Sequence, residues 1–397
     1  MTFSPTGKAH EILLDFGPQP VCSHFLHSAD EPQESYPLAL AQCQETGLIF
    51  LKQPLPVGAL VPRFDWIKYN EPEGHLDRMV EDIVRLPGIT SRATILGMSY
   101  KDDSTLARFE RLGFTHTRRI DPSRDLGIHD PNSNIETLQH ALTEARADDI
   151  ASRKGQADVV IARHILEHAE NPQAFIAALK ALVAPGGRLI LEIPDCQKSL
   201  EQQNYMMPWE EHTLYFTEQT FRAYARAEGL AMEAIARYCY PFEDSLVGHF
   251  RVAESRAGAS VDVTAELNRG RRYGAAFAAH RDQTRAFFKR HSAEKIALFG
   301  AGHLACSFVN TFGVSEHIQF VADDDPHKQG LLMPGSKLSI RLSSAMVQNN
   351  IQRCLFGINP IAEARLIEKL GPQIPHMHSL FPGGKNYYLA IGNGARA

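Results

Sequence analysis

Between Ile161 and Asp195 the chain reads IARHILEHAENPQAFIAALKALVAPGGRLILEIPD, and this pattern suits one local fold: strand, turn, helix, turn, strand. Asp158 to Ala162 supplies an apolar run. Asn171-Pro172 offers an N-cap and an N1 proline, and Phe175, Ile176, Leu179 and Leu182 recur at helical spacing. Pro185-Gly186-Gly187 is expected to end the helix, and Arg188 to Ile193 to form the second strand. Two strands joined by a helix lie parallel, and a parallel sheet binds its ligands at the carboxyl ends of its strands. His164, Glu167 and His168 fall just past such an end, where chemistry is expected.

A chain of 397 residues exceeds one typical domain and suggests two or three. With 44% apolar and 22% charged residues and a net charge of -5, it reads as globular and soluble. Its basic residues are scattered, so neither nucleic acid nor a membrane surface is an expected partner. The opening MTFSPTGKAH has no apolar h-region, and no stretch approaches a membrane span, which makes a cytoplasmic location the expectation. Cys22, Cys43, Cys196, Cys239, Cys306 and Cys354 contain no CxxC pair; they are expected to be buried thiols, not a zinc site or a disulfide framework.

Four segments follow from the pattern. Residues 1–62 are rich in proline and turns, with a short strand at Gly47 to Lys52. Residues 63–254 alternate strand and helix: Thr94 to Met98, a helix near Ser104 to Leu112, Arg118 to Ile120, the passage above, and a helix Gln219 to Glu228 between Thr217 and Gly229. Residues 255–290 are charged, alanine-rich and helical in pattern. Residues 291–397 open a second α/β unit, with a strand Lys295 to Phe299, a turn Gly300-Ala301-Gly302, a helix Ala305 to Phe312 and a strand Ile318 to Val321 before three aspartates.

Together these segments resemble the S-adenosylmethionine (SAM)-dependent C-methyltransferases of deoxysugar nucleotides. LLDFGPQPVCSHFL and YPLALAQCQETGLIFL resemble that family's zinc module, and HILEHAENP with APGGRLILEIPD its methyltransferase core. WEEHTLYFTEQTF resembles its catalytic Tyr-His-Glu-His segment, and FGAGHLACSF with VADDDPHKQGLLMPGSKLSI its Rossmann-like carboxyl-terminal domain. The resemblance implies a class I methyltransferase core, a small amino-terminal module, and a sugar nucleotide or related small molecule as substrate. The chain reads as a divergent member. Thr46 stands where a cysteine should pair with Cys43, and four ligands are needed for tetrahedral zinc, so no zinc is expected.

The resemblance also assigns residues. Gly97 and Asp103, in ILGMSYKDDSTLARF, match the cofactor loop, with Ser104 in place of its second glycine. Asp121 is expected to bond the ribose, and His164 to close over the cofactor; otherwise Gly97 merely turns the chain and Asp121 caps a helix. His212 and Glu211 match the catalytic base and its carboxylate, while Trp209 replaces a tyrosine and Glu210 a histidine. The alternative makes Glu211-His212 a structural pair. Phe64 and Trp66 fall near the aromatic positions of the family's lid while Tyr69 is offset; Trp66, Tyr69 and Trp209 are assigned to substrate. Gly300, Gly302, Asp323 and Lys328 are read as a nucleotide-facing edge. Two rival functions remain: a non-catalytic binding member of the family, and an NAD-dependent oxidoreductase using the GAG turn. A metal held by His164, Glu167 and His168 is the weaker reading of that segment, so no metal is assigned.

Overall fold

The computed structural model of the chain describes residues 5–67, 69, 71–253, 262–382, 384 and 386–390. Its strands are β1 (His10–Pro20), β2 (Ser35–Cys43), β3 (Ile49–Leu51), β4 (Thr94–Gly97), β5 (His116–Arg119), β6 (Ala157–Arg163), β7 (Val183–Asp195), β8 (Leu214–Tyr215), β9 (Leu230–Tyr238) and β10 (Asp244–Val252), then β11 (Ile296–Phe299), β12 (Ile318–Ala322), β13 (Ile340–Arg341), β14 (Arg353–Phe356) and β15 (His376–Ser379). By packing there are two compact units. One comprises residues 1–11, 41–197 and 211–268; the other comprises residues 12–40, 198–210 and 269–397. The chain passes between them inside β1, inside β2 and within the helix Thr264–Arg290, so its packing does not follow the four consecutive segments of the sequence.

The first unit is built on a six-stranded sheet in the order β5-β4-β6-β7-β10-β9. Strands β4 to β7 are parallel because helices connect them, whereas β9 and β10 are joined by five residues and pair antiparallel. Both faces are covered. Val160 and Ala162 join one apolar cluster with Leu96, Leu191 and Phe175, while Val159 and Ile161 join another with Ile95, Met79 and Phe109. The period of two along β6 thus feeds two cores. The chain turns from β4 to β5 on one side, then crosses to β6 on the other. That reversal opens a crevice at the carboxyl ends of β4 and β6.

The structure bears out Asn171 as N-cap of the helix Pro172–Ala181 and Thr217 as N-cap of Glu218–Ala227. It corrects the helix end: Leu182 closes the helix, and Pro185-Gly186-Gly187 lies within β7 as an excursion between Val183, paired with Ala157, and Arg188, paired with Val159. A Cβ on Gly187 would meet the carbonyls of Ala184 and Asp158 at 2.9 Å, so only glycine fits there. Five cysteines are buried as expected, but Cys239 is exposed because it sits in the short β9–β10 connection.

The second unit holds a parallel sheet in the order β13-β12-β11-β14-β15. The GAG turn follows β11, and the helix after it begins at His303, two residues earlier than expected. The predicted helical connector is observed from Thr264 to Arg290, and its first residues up to Val261 fall outside the described residues. No described helix is long and apolar enough to cross a membrane.

Candidate active site

At the crevice of the first unit, the chain leaves β4 through a tight loop closed by a capping box between Ser99 and Asp102. The Asp102 carboxylate accepts from the Met98 N–H at 2.7 Å, the Ser99 N–H at 2.9 Å and the Arg163 N–H at 3.2 Å. Burial pushes Asp102 up to about 6, although Arg163 and the three N–H groups pull the other way. Gly97 is needed here because a Cβ would stand 2.8 Å from the Asp102 Cβ and 3.1 Å from Leu106 Cδ1. Beside the ends of β4 and β5 lies a small cavity of about 90 Å³, lined in part by Tyr100, Arg119, Pro122, Ile128, Ile135 and Leu138.

Behind the loop sits a buried ionic network. Glu192, toward the carboxyl end of β7 and fully buried, accepts from Arg163 Nε, stands 2.9 Å from His164 Nε2 and 3.0 Å from His75 Nε2. Lys101 pairs with Glu71, and the Arg163 guanidinium also donates to the Lys101 carbonyl. His164 adopts a left-handed backbone, φ +47°, which turns its ring between Glu192 and Glu167, the latter at 3.4 Å. Burial alone would discharge it, yet Glu71 and Glu192 lift His164 to about 10, so it is an imidazolium. Burial would likewise raise Glu71, but Lys101 and His164 hold it at about 2.

One turn further, the short helix Leu166–His168 receives the segment that precedes β8. The Thr213 N–H donates to the Glu167 carbonyl at 2.6 Å, and its hydroxyl reaches the carbonyls of Glu167 and Ala169 at 3.0 and 2.7 Å. Glu211 and His212 are thereby carried to the mouth of β6. The His212 ring meets His168 edge-on at 4.5 Å, and ligand atoms of Glu167, His168 and His212 lie within 4.8 Å of one another, as do those of Glu136, His168 and Glu211. His168 Nδ1 is 2.5 Å from Glu136 Oε1, which orients its ring. The sequence had set His168 aside with the metal reading and had missed Glu136.

In the second unit, Asp323 accepts from the Ala301 N–H at 2.8 Å and from Lys328 Nζ at 3.0 Å, and its other oxygen takes the Asp325 N–H at 2.9 Å. Its carboxylate therefore pins the Gly300–Gly302 turn. Gly300, at φ +102°, is required because a Cβ would strike Ile358 Cγ2 at 2.4 Å; Gly302 has open space around it. Trp209 stacks on His303, with ring centres 4.3 Å apart.

Known proteins match this architecture. Residues 74–235 fit the family model of a methyltransferase domain, and residues 247–356 that of a C-methyltransferase C-terminal domain. C-methyltransferase NovU of Streptomyces niveus is 22% identical over 351 residues, covering 83% of either chain. The chain is thus a methyltransferase similar to the C-methyltransferases, and a divergent one. Solved structures similar over 45% of this methyltransferase include an O-methyltransferase family protein from Burkholderia thailandensis, with 18% identity and a TM-score of 0.28 over 56% of that chain. A second is the 1,6-didemethyltoxoflavin-N1-methyltransferase of the same organism, with 15% identity and a TM-score of 0.31 over 79% of its chain. The core is a class I methyltransferase fold, and the second unit carries the Rossmann-like carboxyl-terminal domain.

This fold implies SAM as methyl donor, and the crevice offers matching groups. Arg163 Nη2 and Glu167 Oε2 are buried without a hydrogen-bond partner, a donor and an acceptor at the carboxyl end of β6 where a methionine carboxylate and ammonium need them. The small cavity beside Tyr100 and Ile135 lies at the same sheet edge. Asp121 uses one oxygen to cap the helix Pro122–Leu126, accepting from the Ser123 and Arg124 N–H groups, and stays half-buried next to that cavity. Asp103 is different. It is exposed and paired with Arg119 at 2.5 Å, and Asp102, one residue earlier, occupies the loop instead. The methyltransferase places Trp66 against Phe64, with ring centres 5.2 Å apart, and Tyr69 half-buried nearby in sequence.

Proposed function

We propose that this SAM-dependent methyltransferase methylates carbon, on a sugar nucleotide or a related small molecule that carries a ketone. The observation that supports this reading most is the delivery of Glu211-His212 by Thr213 onto Glu167-His168 at the mouth of β6. Bound SAM would supply an electrophilic methyl group. Arg163, Glu167 and the cavity beside Asp121 would hold it, and His164, positively charged, would set the field at that end of the crevice. His212 would then remove a proton from the carbon beside the ketone, leaving an enolate whose carbon takes the methyl. Glu211 orients that imidazole, and His168, fixed by Glu136, stands ready to receive or return a proton at its edge. Trp66 and Tyr69 would supply aromatic surface for the acceptor; in the second unit, Trp209, Gly300, Gly302, Asp323 and Lys328 are candidates for a ligand of that unit.

A reading as an NAD-dependent oxidoreductase loses support from Asp323, whose carboxylate already serves the turn. Six free cysteines suit a reducing compartment, and we assign the enzyme to the cytoplasm. The test is proton exchange. With a keto-deoxysugar nucleotide in deuterium oxide and no SAM, the wild-type enzyme should exchange the proton beside the ketone, while His212→Asn should exchange on the order of a hundredfold more slowly. Glu211→Gln should lose less, because an amide still orients the ring. Wild-type exchange by His212→Asn would leave Glu211-His212 a structural pair.

A further inference from the structure

In the second unit, three sequence segments far apart bring metal-binding side chains to one point. Cys22, Glu210 and His303 have ligand atoms within 4.8 Å of one another. Cys22 and Glu210 are buried, at 5% and 4% exposure, and His303 is half-buried. Glu210 faces Cys22 directly, accepting its backbone N–H. Cys306, one helical turn after His303 and buried, has its thiol within hydrogen-bonding reach of the Cys22 thiol. Two thiols, a carboxyl and an imidazole thus converge.

The imidazole is already set as a ligand. Its Nε2 stands 3.0 Å from the Met206 carbonyl, which can only accept, so Nε2 carries the proton and Nδ1 keeps a free lone pair. That Nδ1 is buried and has no hydrogen-bond partner. A neutral His holding a carbonyl through one nitrogen and presenting the other is the arrangement that metal-bound histidines adopt. Stacking on Trp209 fixes the ring plane. Burial favours the uncharged forms of three of these groups: it pushes Glu210 up to about 7 and holds His303 at about 4, and the Cys22 thiol is raised by its contact with Cys306 and by burial. A divalent cation would supply the positive charge that this cluster of acids does not otherwise contain.

We propose that Cys22, Glu210 and His303, with Cys306 as fourth ligand, bind one thiophilic divalent cation, zinc by preference. Ligand atoms around tetrahedral zinc are roughly 3.3–3.8 Å apart, so Cys22, Glu210 and His303 need only a small contraction, whereas the Cys306 thiol must turn from the Pro334 carbonyl, 3.7 Å away, to join them. Binding displaces the thiol protons of Cys22 and Cys306 into solvent and is therefore weaker at low pH. The site has its own ligands: Cys43, on which the expectation of no zinc was argued, lies in the first unit, where Thr6 Oγ1 stands 3.3 Å from its sulfur. Its role is structural. It clamps residues 12–40 and 198–210 to the turn after β11, and so fixes Trp209-Glu210, which lead directly into Glu211-His212.

The probe is cobalt(II), followed by zinc. Full-length protein stripped with a chelator should bind one cobalt per chain with an intense near-ultraviolet thiolate-to-cobalt band, and zinc should bleach it. Cys22→Ser should remove most of that band and weaken cobalt binding by on the order of a hundredfold, and His303→Asn should weaken it comparably. Glu210→Gln should keep the band with weaker binding, and Cys43→Ser should change nothing. Circular dichroism identifies any variant that fails to fold, and Glu210→Gln, the mildest change, then carries the test. The proposal is overturned if wild-type protein gives no cobalt band, if binding survives both Cys22→Ser and His303→Asn, or if peptide mapping finds Cys22 and Cys306 joined in a disulfide.

Discussion

Replacing Glu192 by Gln should unfold the first unit more readily than any single change on its surface. The Glu192 carboxylate is fully buried and is faced by Arg163, by His164 at 2.9 Å and by His75 at 3.0 Å. Glutamine keeps the shape but removes the charge and turns one N–H₂ toward groups that also donate. Removing one partner of a buried pair costs about 3–5 kcal/mol. For a domain of this size that lowers Tm by roughly 6–20 °C. The pH dependence gives an independent check. His164 is lifted from 6.5 to about 10 against the cost of burial, chiefly by Glu71 and Glu192. At 1.36 kcal/mol per pH unit this is at most about 5 kcal/mol, because the same contacts also hold down Glu71 and Glu192. A raised pKa stabilises fully below pH 6.5 and is lost as pH rises toward 10, so wild-type stability should fall across that window. Glu192→Gln should show a shallower fall. Urea denaturation of both proteins from pH 6 to 10 measures it. A loss under about 1 kcal/mol at pH 6, or parallel pH curves, would refute the role given to this network.

Glu136→Gln should lower turnover at least about tenfold and move the pH–rate profile, since an amide sets no negative charge beside the His168 ring; unchanged profiles would place His168 outside the reaction. Thr213→Val removes the hydroxyl that bonds the Glu167 and Ala169 carbonyls, and should cost about 1–3 kcal/mol in thermal unfolding while reducing turnover. Asp121→Ala should weaken S-adenosylhomocysteine binding by at least about tenfold in calorimetry while lowering stability only slightly through the lost helix cap. Equal binding with the same loss of stability would leave Asp121 as a cap alone.

Local patterns in the sequence were enough to place the elements of the core. Apolar runs of four to seven residues, the Asn171-Pro172 start and the Thr217 cap depend on neighbours a few positions away, and the structure reproduces them within two or three residues, apart from the early start of β7 at Val183. The same holds for the GAG turn, whose motif is contiguous. Glu192 was legible in principle, as an acid in the middle of the apolar run RLILEIPD. Its meaning was not, because the charges that justify it come from β6 and from His75, more than a hundred residues away.

Long-range pairing decided the rest. Residue types alone cannot show that Asp102 and not Asp103 enters the loop, since one residue of helical rotation separates a buried carboxylate from an exposed one. Nor can they show that Asp323 spends its oxygens on the turn, that Glu136 meets His168 across 32 positions, or that Cys22, Glu210 and His303 converge. Sequence determined which stretches become strand and helix, because that preference is local. Tertiary structure alone determined which polar groups are taken out of water together, and that shared desolvation sets their charge and leaves them available for chemistry.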